Sequence, residues 1–328
     1  MAKSFLGIDI GNKYLKLASV SGGKVKKTAM AELPDSLVKA GQVVSYAAMA
    51  DFIRSTMKEN SLSSAPAAFV LNSSDTYVKN ISVPAMTDAQ LLLNIPYEFK
   101  DYIPDELHSY AYDYAVTGVS EDEENGKTLE LLASASPESY LNELRNMLKK
   151  AGLKFAIAAP AECAYIGFLR QTGVAKEDKE YCFLDIGHEA IRMHVFKGEQ
   201  FIVTRVLELG LGLVEQRIAD SMHVDIHLAH TYFTTNYNNC QNSDTCLDAY
   251  SGISTELERA IHFYQFSNPD SNLEHVWLCG GGASVENLVK EIRQTLNVEV
   301  GLASELINKL DNENGFMFIP AIGITHQE

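Results

Sequence analysis

With 328 residues, of which 46% are hydrophobic, the chain is long enough to form two domains with a core in each. Its 43 acidic and 27 basic residues give a formal net charge of −16, which disfavours nucleic acid and anionic lipid as partners. The sequence has no signal-peptide pattern and no uncharged apolar stretch near the roughly 20 residues that span a bilayer. Five cysteines without CxxC spacing predict free thiols, and we expect a soluble cytoplasmic protein.

One element occurs twice along the chain. The first copy reads FLGIDIGNKYLKLASVSGGKVKKTAMAEL and the second reads CFLDIGHEAIRMHVFKGEQFIVTRVLEL. Each begins with an apolar run that ends in Asp-Ile-Gly, then alternates apolar and polar residues, turns at a glycine and returns. Asp9 and Gly22 are thirteen positions apart, and so are Asp185 and Gly198. This equal spacing predicts two related β-meanders, one in each of two lobes.

Helix signals follow the first meander. Ser45 is a candidate N-cap for an amphipathic helix. Thr87 and Gln90 have the spacing of a capping box before the apolar run LLLNIPYEFKDYI. Pro96 lies inside that run, so we expect it to kink the helix or end it near Ile95.

The segment after this helix predicts a separate small unit. The runs YAYDYAV and TLELLASAS are typical of strands, and the acidic stretch 120–127 between them is typical of an exposed loop. A helix predicted after these strands completes an α/β subdomain at about 83–153, inserted in a first lobe of residues 1–174. The second lobe covers 175–328, and its stretch from about 213 to 272 is mainly helical.

The two Asp-Ile-Gly turns have the chemistry of phosphate loops. An aspartate at the end of a strand can hold the water shell of Mg²⁺, which prefers few direct protein ligands. The glycine allows a tight turn whose N–H groups can point at phosphate oxygens. We therefore expect Asp9 and Gly11 on one side of a nucleotide site, and Asp185 and Gly187 on the other. Lys16, seven positions after the first aspartate, could reach a phosphate as a point charge.

A third glycine motif lies near the C-terminus, in HVWLCGGGASVENLVKEIRQTL. Its pattern predicts a strand over 275–279, a turn at Gly280, Gly281 and Gly282, and a helix that Ser284 caps. Glycines at such a strand-to-helix turn allow a ligand to lie against the backbone beside the positive end of the helix. Together with the two Asp-Ile-Gly turns, this motif favours an adenosine-binding position.

In this order, the three motifs resemble those of the actin, DnaK-chaperone and sugar-kinase superfamily. There they are the first phosphate loop, the second phosphate loop and the adenosine loop. Within the superfamily the chain resembles the PilM family of type IV pilus inner-membrane platform proteins over nearly its whole length. The resemblance includes GIDIGNKYLKL, IPYEFKDYIPDELHSYAYDYAV, LKKAGLKFAIAAPAECAYIGFLR and ELERAIHFYQF. The position of the insert in the first lobe is also that of PilM and the division protein FtsA.

This resemblance implies an α/β actin-like ATPase fold of the duplicated, ribonuclease H-like type, with two lobes and a small α/β subdomain inserted in the first. It also implies ATP or ADP as ligand, with Mg²⁺ held through water by Asp9 and Asp185. The residues expected at the nucleotide all lie in or beside the three loops. They are Asp9, Gly11, Asn12, Lys13, Tyr14, Lys16, Asp185, Gly187, His188, Gly280, Gly281, Gly282 and Ser284.

Both phosphate loops depart from the usual pattern of the superfamily. Small hydroxyl residues usually follow the first glycine, whereas this chain has Asn12, Lys13 and Tyr14. The second loop commonly carries threonine, where this chain has Ala190 and Ile191. The acidic-and-lysine pair usual beside the adenine is also missing from HLAHTYF. Backbone contacts survive these changes and hydroxyl contacts do not, so we expect nucleotide binding with very slow or absent hydrolysis.

Two side chains have two interpretations each. Glu162 lies where active relatives place the group that orients the attacking water, or it is a surface carboxylate that faces solvent. His188 contacts a phosphate, or it is an exposed turn residue. The residues alone do not decide between these interpretations.

Three functions fit this fold. The resemblance implies a cytoplasmic ATP-binding scaffold, peripheral at the inner membrane, whose insert docks the short cytoplasmic tail of a PilN-like single-pass protein. Self-association is a further possibility, whereas nucleic acid and direct membrane insertion are not expected. The alternatives are an FtsA-like filament protein, which usually ends in an amphipathic membrane helix, and a small-molecule kinase, which needs a substrate carboxylate or base. The pattern shows neither feature, and fold resemblance alone does not identify a pilus, secretion or competence machine.

Overall fold

The computed structural model describes residues 3–39, 41–71, 73–103, 106–122, 126–306 and 315–326. The chain divides into two compact units, one of residues 1–171 with 320–328 and the other of residues 172–319. The first boundary lies three residues before the predicted one at 174. The segment 320–328, which the prediction placed in the second lobe, packs with the first unit instead.

Ten strands and four α-helices are described up to residue 172. The strands are β1 (Ser4–Ile10), β2 (Tyr14–Ser21), β3 (Lys24–Glu32), β4 (Val38–Lys39), β5 (Gln42–Val43), β6 (Ala67–Leu71), β7 (Tyr77–Pro84), β8 (Tyr110–Asp122), β9 (Gly126–Pro137) and β10 (Phe155–Pro160). The helices are α1 (Tyr46–Glu59), α2 (Asp88–Glu98), α3 (Glu138–Lys150) and α4 (Ala161–Thr172), with a 3-10 turn at Leu107–Ser109.

The first unit has a sheet whose order is β10-β6-β1-β2-β3 in the described residues. Alternate residues of β1, such as Leu6 and Ile8, are fully buried, as a strand with two differently packed faces requires. They share a hydrophobic core with Ile53 of α1 and Leu144 of α3. Ser45 caps α1 as predicted, since its side chain accepts a hydrogen bond from the Ala48 N–H.

The inserted subdomain has its own sheet and core. Strands β7, β9 and β8 pair in that order, and α2 packs on the sheet through a second cluster that includes Leu91 and Leu131. Its span, 77–137, differs from the predicted 83–153 at both ends. The predicted C-terminal helix of the insert, α3, packs against α1 and the main core instead. Of the loop predicted at 120–127, residues 120–122 belong to β8 and 126–127 to β9, and 123–125 lie outside the described residues.

Helix α2 confirms one sequence signal and departs from another. The capping box of Thr87 and Gln90 forms in both directions, as predicted. The helix then continues to Glu98, beyond the predicted end at Ile95. Pro96 lies in the last turn, where it removes one backbone hydrogen bond without interrupting a longer helix.

The remaining elements belong to the second unit, except for the last helix. The strands are β11 (Glu180–Ile186), β12 (Ile191–Lys197), β13 (Gln200–Leu207), β14 (His275–Cys279) and β15 (Glu299–Leu302). The helices are α5 (Leu211–Met222), α6 (Ile226–Thr234), α7 (Asp244–Ser267), α8 (Glu286–Thr295) and α9 (Ile319–Gly323). Short 3-10 turns occur at Tyr237–Asn242, Gly281–Ser284, Ala303–Leu306 and Gly315–Phe318.

The two units repeat one sheet topology. In the second unit the order is β13-β12-β11-β14-β15, which matches β3-β2-β1-β6-β10 of the first when each strand is replaced by its counterpart. In both sheets the first three strands form an antiparallel meander, and the next two lie parallel to the first strand. The predicted duplication is therefore present in the backbone.

The structure bears on two expectations from the sequence, the free thiols and the lack of a membrane-spanning segment. The five cysteines are thiols and not halves of disulfides; Cys182, Cys240, Cys246 and Cys279 are buried, and Cys163 is partly buried. Burial raises the pKa of the Cys163 thiol to about 12, so this thiol is a weak nucleophile at neutral pH. Among the described residues, no helix is both long and apolar enough to cross a membrane.

The C-terminal segment packs closely on the rest of the first unit at two glycines. A Cβ atom at Gly7 would overlap the carbonyl oxygen of Ala321, and a Cβ atom at Gly323 would overlap that of Ala164. Strand β1 and helix α4 can therefore approach this segment only because both positions lack a side chain. This close packing explains why 320–328 belongs to the first unit.

We predict that Gly7→Ala lowers stability by roughly 1–3 kcal/mol or more, because the methyl group must displace backbone atoms. Thermal unfolding of the purified variant measures the change. Gly252→Ala is the matched control, since a Cβ atom there meets nothing within 4 Å and the residue lies inside helix α7. That control should gain up to about 1 kcal/mol from helix propensity. Equal melting temperatures for the two variants would contradict the close packing.

Candidate functional site

The first Asp-Ile-Gly turn closes through a backbone hydrogen bond between residues three positions apart. The Gly11 N–H donates to the carbonyl oxygen of Tyr14 over 3.0 Å, which joins β1 to β2. The resulting register places Asp9 directly opposite Lys16 across the antiparallel pair. Lys16 Nζ lies 3.3 Å from Asp9 Oδ2, and the two side chains are only 13% and 16% exposed. A partly buried ion pair therefore lies at the end of β1.

The second turn has the same construction. The Gly187 N–H donates to the carbonyl oxygen of Ala190 over 3.0 Å, joining β11 to β12. This register places Asp185 opposite Arg192. A Cβ atom on Gly187 would lie 2.7 Å from the Ala190 oxygen, so the turn needs glycine here.

Arg192 is a candidate that the sequence analysis missed. It follows Asp185 by seven positions, as Lys16 follows Asp9, so equal spacing was the available signal. Side chains directly opposite in an antiparallel pair lie on one face, roughly 5 Å apart at Cβ. Each Asp-Ile-Gly turn thus combines one carboxylate with one basic side chain at the same relative position.

The glycine-rich third motif lies beside the second loop. Strand β14 runs parallel to β11 with Cys279 opposite Asp185, so the following glycines begin next to this aspartate. Gly280 has φ +77°, and a Cβ atom on it would overlap Asp185 Oδ1. A Cβ atom on Gly282 would overlap the side chain of Ile186. These two glycines are required by packing within the second unit.

Gly281 differs from its two neighbours. The nearest atom to a Cβ at this position is Leu211 Cδ1, at 3.9 Å, so a methyl group there would make only an ordinary van der Waals contact. A methyl group at 281 would therefore overlap nothing in the second unit, unlike one at Gly280 or Gly282. The prediction that Ser284 caps α8 is wrong: the helix begins at Glu286, and the Ser284 hydroxyl donates to the Gly281 carbonyl oxygen over 2.6 Å.

Glu162 lies at the same edge of the first sheet as the first loop. Strands β1, β6 and β10 are parallel, so their carboxyl ends meet at one edge, where ligands commonly bind in such sheets. Helix α4 begins directly after β10 and carries Glu162 in its first turn. The side chain is buried, with 7% exposure, so the interpretation as a solvent-facing carboxylate is wrong. A role in orienting water stays a prediction.

The remaining residues of the first loop are partly buried. Asn12 and Lys13 lie in the turn, and Tyr14 begins β2. Lys13 Nζ lies 3.2 Å from Asp35 Oδ1, so this ammonium group has a partner outside the loop. Its contribution to a phosphate site would therefore require it to leave or share that carboxylate.

His188 is not an exposed turn residue. Its side chain is 24% exposed, and its Nε2 lies 3.1 Å from Glu215 Oε2, on helix α5. The main chain of the loop is held by the same helix, because the N–H groups of Leu211 and Gly212 donate to the carbonyl oxygens of Gly187 and His188. Glu215 was not singled out from the sequence, and no local pattern indicates it.

No direct metal ligand set accompanies these loops. Among the described residues, no group of three or more His, Cys, Asp or Glu side chains is arranged to hold a metal ion. Mg²⁺ bound through water needs no such group, since it keeps most of its water ligands. Each loop offers one aspartate for that purpose, Asp9 in the first unit and Asp185 in the second.

The inserted subdomain has a hollow with exposed apolar walls. Its volume is about 640 Å³, and it lies between the end of α2 and the start of β8. Leu93 and Tyr97 on its rim are 72% and 65% exposed, unusually high for large apolar side chains. The lining residues are Leu93, Pro96, Tyr97, Glu106, Leu107, His108, Tyr110 and Tyr112.

Comparison with known protein families gives one match that spans most of the chain. The family model described as type IV pilus assembly protein PilM matches residues 7–314. The matched range includes all three glycine motifs, both meanders and the inserted subdomain.

Solved structures share the fold. The chain is similar to one from the PilM–PilN type IV pilus biogenesis complex, with a TM-score of 0.82, 24% identity and coverage of 97% and 96% of the two chains. It is also similar to the ethanolamine utilization protein EutJ from Carboxydothermus hydrogenoformans, with TM-score 0.61, 14% identity and coverage of 99% and 89%. MreB5 of Spiroplasma citri bound to ADP matches with TM-score 0.55, 11% identity and coverage of 98% and 95%. The predicted actin-like ATPase fold is confirmed.

We predict that the same substitution destabilises the fold at one of two neighbouring glycines and not at the other. Gly282→Val should lower the melting temperature by several degrees, roughly 2–4 °C for each kcal/mol of overpacking, because the side chain overlaps Ile186. Gly281→Val should leave it nearly unchanged, since a Cβ atom here comes no closer than 3.9 Å to its nearest neighbour and its φ is not in the left-handed region. Differential scanning calorimetry of both variants without nucleotide tests the contrast. A large loss of stability in Gly281→Val would mean that packing does require this glycine.

Proposed function

The chain belongs to the PilM family of type IV pilus assembly proteins, and we propose that it is a scaffold that binds ATP or ADP and docks a membrane partner. The partner is a PilN-like single-pass inner-membrane protein, whose short cytoplasmic tail binds the inserted subdomain. Through this tail the protein works at the cytoplasmic face of the inner membrane. The observation that carries the proposal is the family match over 7–314, and the two Asp-Ile-Gly turns support its nucleotide part.

The loops fit a nucleotide with Mg²⁺. Each of the two aspartates, Asp9 in the first unit and Asp185 in the second, would be able to hold Mg²⁺ through its water ligands, and the metal would neutralise phosphate charge. Lys16 and Arg192, opposite these aspartates, would contribute basic groups. Gly281, where a Cβ atom would overlap nothing, would accept a ligand against its backbone. That MreB5 binds ADP shows that one protein with this fold binds a nucleotide.

Hydrolysis is proposed to be very slow or absent. The small hydroxyl residues usual in these loops are missing. Asn12, Lys13 and Tyr14 follow the first glycine, and Ala190 and Ile191 stand where the second loop commonly has threonine. Glu162 is buried in the first turn of α4, where it could orient a water molecule only if a ligand brings that water close. Nucleotide therefore serves mainly as a structural ligand in this proposal.

We predict that Mg²⁺ with ADP or ATP raises the melting temperature, because a ligand that binds only the folded state stabilises it, by about 2.7 kcal/mol at a hundredfold excess over Kd. Gly281→Val should abolish this shift without altering the unliganded melting temperature. Asp9→Asn should weaken it, and Asp51→Asn should not, since Asp51 is an aspartate paired with Lys150 on the exposed surface. A thermal-shift titration with and without Mg²⁺ makes the measurement. No shift in the wild type at millimolar nucleotide would overturn the nucleotide proposal.

The hollow in the inserted subdomain is the proposed docking surface for the tail. Peptides that bind in extended form combine main-chain pairing with pockets for side chains. Strand β8 is at the edge of its sheet, and Tyr110 and Tyr112, two residues apart on this strand, line the hollow. Apolar side chains of the tail would cover Leu93 and Tyr97, which are otherwise exposed to water.

Charge also favours such a tail. Cytoplasmic segments next to a membrane helix usually carry an excess of Lys and Arg. The chain has a net charge of −16, and Glu106 lies on the lining of the hollow. A basic tail would therefore be attracted to this protein, whereas an anionic membrane surface would not.

We predict micromolar affinity, about −8 kcal/mol, for the cytoplasmic tail of the PilN-like protein encoded by the same organism. Leu93→Asp or Tyr97→Ala should weaken binding at least about tenfold, because truncating a central aromatic or aliphatic anchor commonly costs 1–2 kcal/mol or more. Phe266→Ala is the matched control, as this apolar residue of the second unit is 86% exposed and lies outside the insert. Fluorescence anisotropy with labelled tail gives the affinities. Undiminished binding to both insert variants would place the docking surface elsewhere.

A further inference from the structure

A buried carboxylate connects the second phosphate loop to two helices. Glu215 of α5 has a side chain only 3% exposed, and both of its oxygens are used. Oε2 lies 3.1 Å from Nε2 of His188 in the loop, and Oε1 lies 2.8 Å from Nδ1 of His230 in α6. One carboxylate thus bridges two imidazoles that come from different elements.

The contact to Glu215 fixes a part of the loop that the backbone bonds do not. The N–H groups at the start of α5 hold the carbonyl oxygens of Gly187 and His188, and these bonds set the main chain. The imidazole of His188 is held separately, through Nε2 by Glu215 and by close packing against Gly212. A Cβ atom on Gly212 would lie 3.0 Å from Cε1 of that ring. The ring therefore has one defined position in the loop.

A carboxylate at position 215 has an energetic cost that an apolar residue would avoid. Its neighbours Val214, Ile218 and Ala219 on the same helix are buried and apolar. Burying an ionised carboxyl group is unfavourable unless its partners compensate for the lost water. Burial alone would raise the pKa of Glu215, but hydrogen bonds and charge from the two histidines lower it below its usual value. The site is therefore built around the histidines.

We infer that Glu215 and His230 are positioning residues: they fix the His188 ring so that it can contact a nucleotide phosphate, and they raise nucleotide affinity through that ring. This inference rests on the proposed nucleotide binding. His230 holds Oε1 and so orients the carboxylate, which in turn holds His188 through Oε2. Neither residue needs to touch the ligand.

A double-mutant cycle tests whether Glu215 acts through His188. Isothermal titration calorimetry would measure the Kd of Mg-ADP for the wild type, Glu215→Leu, His188→Ala and the double variant. We expect Glu215→Leu and His188→Ala each to weaken binding about tenfold, the effect of one hydrogen bond to a charged group. The double variant should bind no more weakly than His188→Ala, because the effects of coupled residues are not additive.

Two further variants separate positioning from charge. In Glu215→Gln, the amide can accept a hydrogen bond from one ring and donate one to the other, so binding should stay within about threefold of the wild type. Asp220→Asn removes a carboxylate from an exposed position of the same helix and should have no effect. If Glu215→Leu does not fold, His230→Leu replaces it in the cycle, since it removes the other support of the carboxylate.

A readout without ligand complements the affinities. The imidazole signals of His188 in a ¹⁵N-labelled protein should shift in His230→Leu, because Glu215 contacts both rings. Additive losses in the cycle, or a variant with lowered melting temperature and unchanged Kd, would show a purely structural role and overturn the inference. If the wild type itself does not bind Mg-ADP, the proposed nucleotide binding and this inference both fail. If the wild type binds Mg-ADP but the Kd values of the variants are additive, only this inference fails.

Discussion

The tight turn after each Asp-Ile-Gly strand determines where the charged groups of both loops lie. In each unit the glycine N–H bonds the carbonyl oxygen three residues later, which closes the hairpin and sets the register of the two strands. That register places Asp9 opposite Lys16, and Asp185 opposite Arg192. A slip of one residue would turn each basic side chain to the other face of its sheet. The same backbone constraint thus positions a carboxylate and a basic residue in both units.

Features that depend on a few neighbouring residues could be predicted from the sequence. The meanders, the caps at Ser45 and Thr87, and the strand before Gly280 follow from periodicity and from short-range hydrogen bonds. The duplication was visible because equal spacing of Asp and Gly requires only counting. The same count, applied to position 192, would also have found the arginine opposite Asp185. The main candidate residues of both loops could therefore be predicted without a structure.

Contacts between residues distant in sequence were not predictable in this way. Helix α3 follows the strands of the insert in the chain, but its apolar face packs on α1, which an amphipathic pattern does not reveal. Gly7 and Gly323 touch backbone carbonyls from other parts of the chain, so their role depends on tertiary packing. The role of Glu215 also depends on tertiary packing, since its two partners lie 27 and 15 residues away in the sequence. The prediction that Ser284 caps α8 was wrong for a different reason. The Ser284 hydroxyl bonds a carbonyl oxygen within a 3-10 turn that precedes α8.

The charge arrangement around the loops bears on the choice between enzyme and scaffold. Both lysines of the first loop already have a carboxylate partner within their own unit: Lys13 with Asp35, and Lys16 with Asp9. A phosphate would have to share these groups, so part of the favourable interaction is offset by the pairs that it weakens. Fast phosphoryl transfer needs charge that is arranged in advance for the transition state and available to it. Internally paired charges instead suit a ligand that is held and seldom converted, which agrees with a protein whose main work is to bind partners.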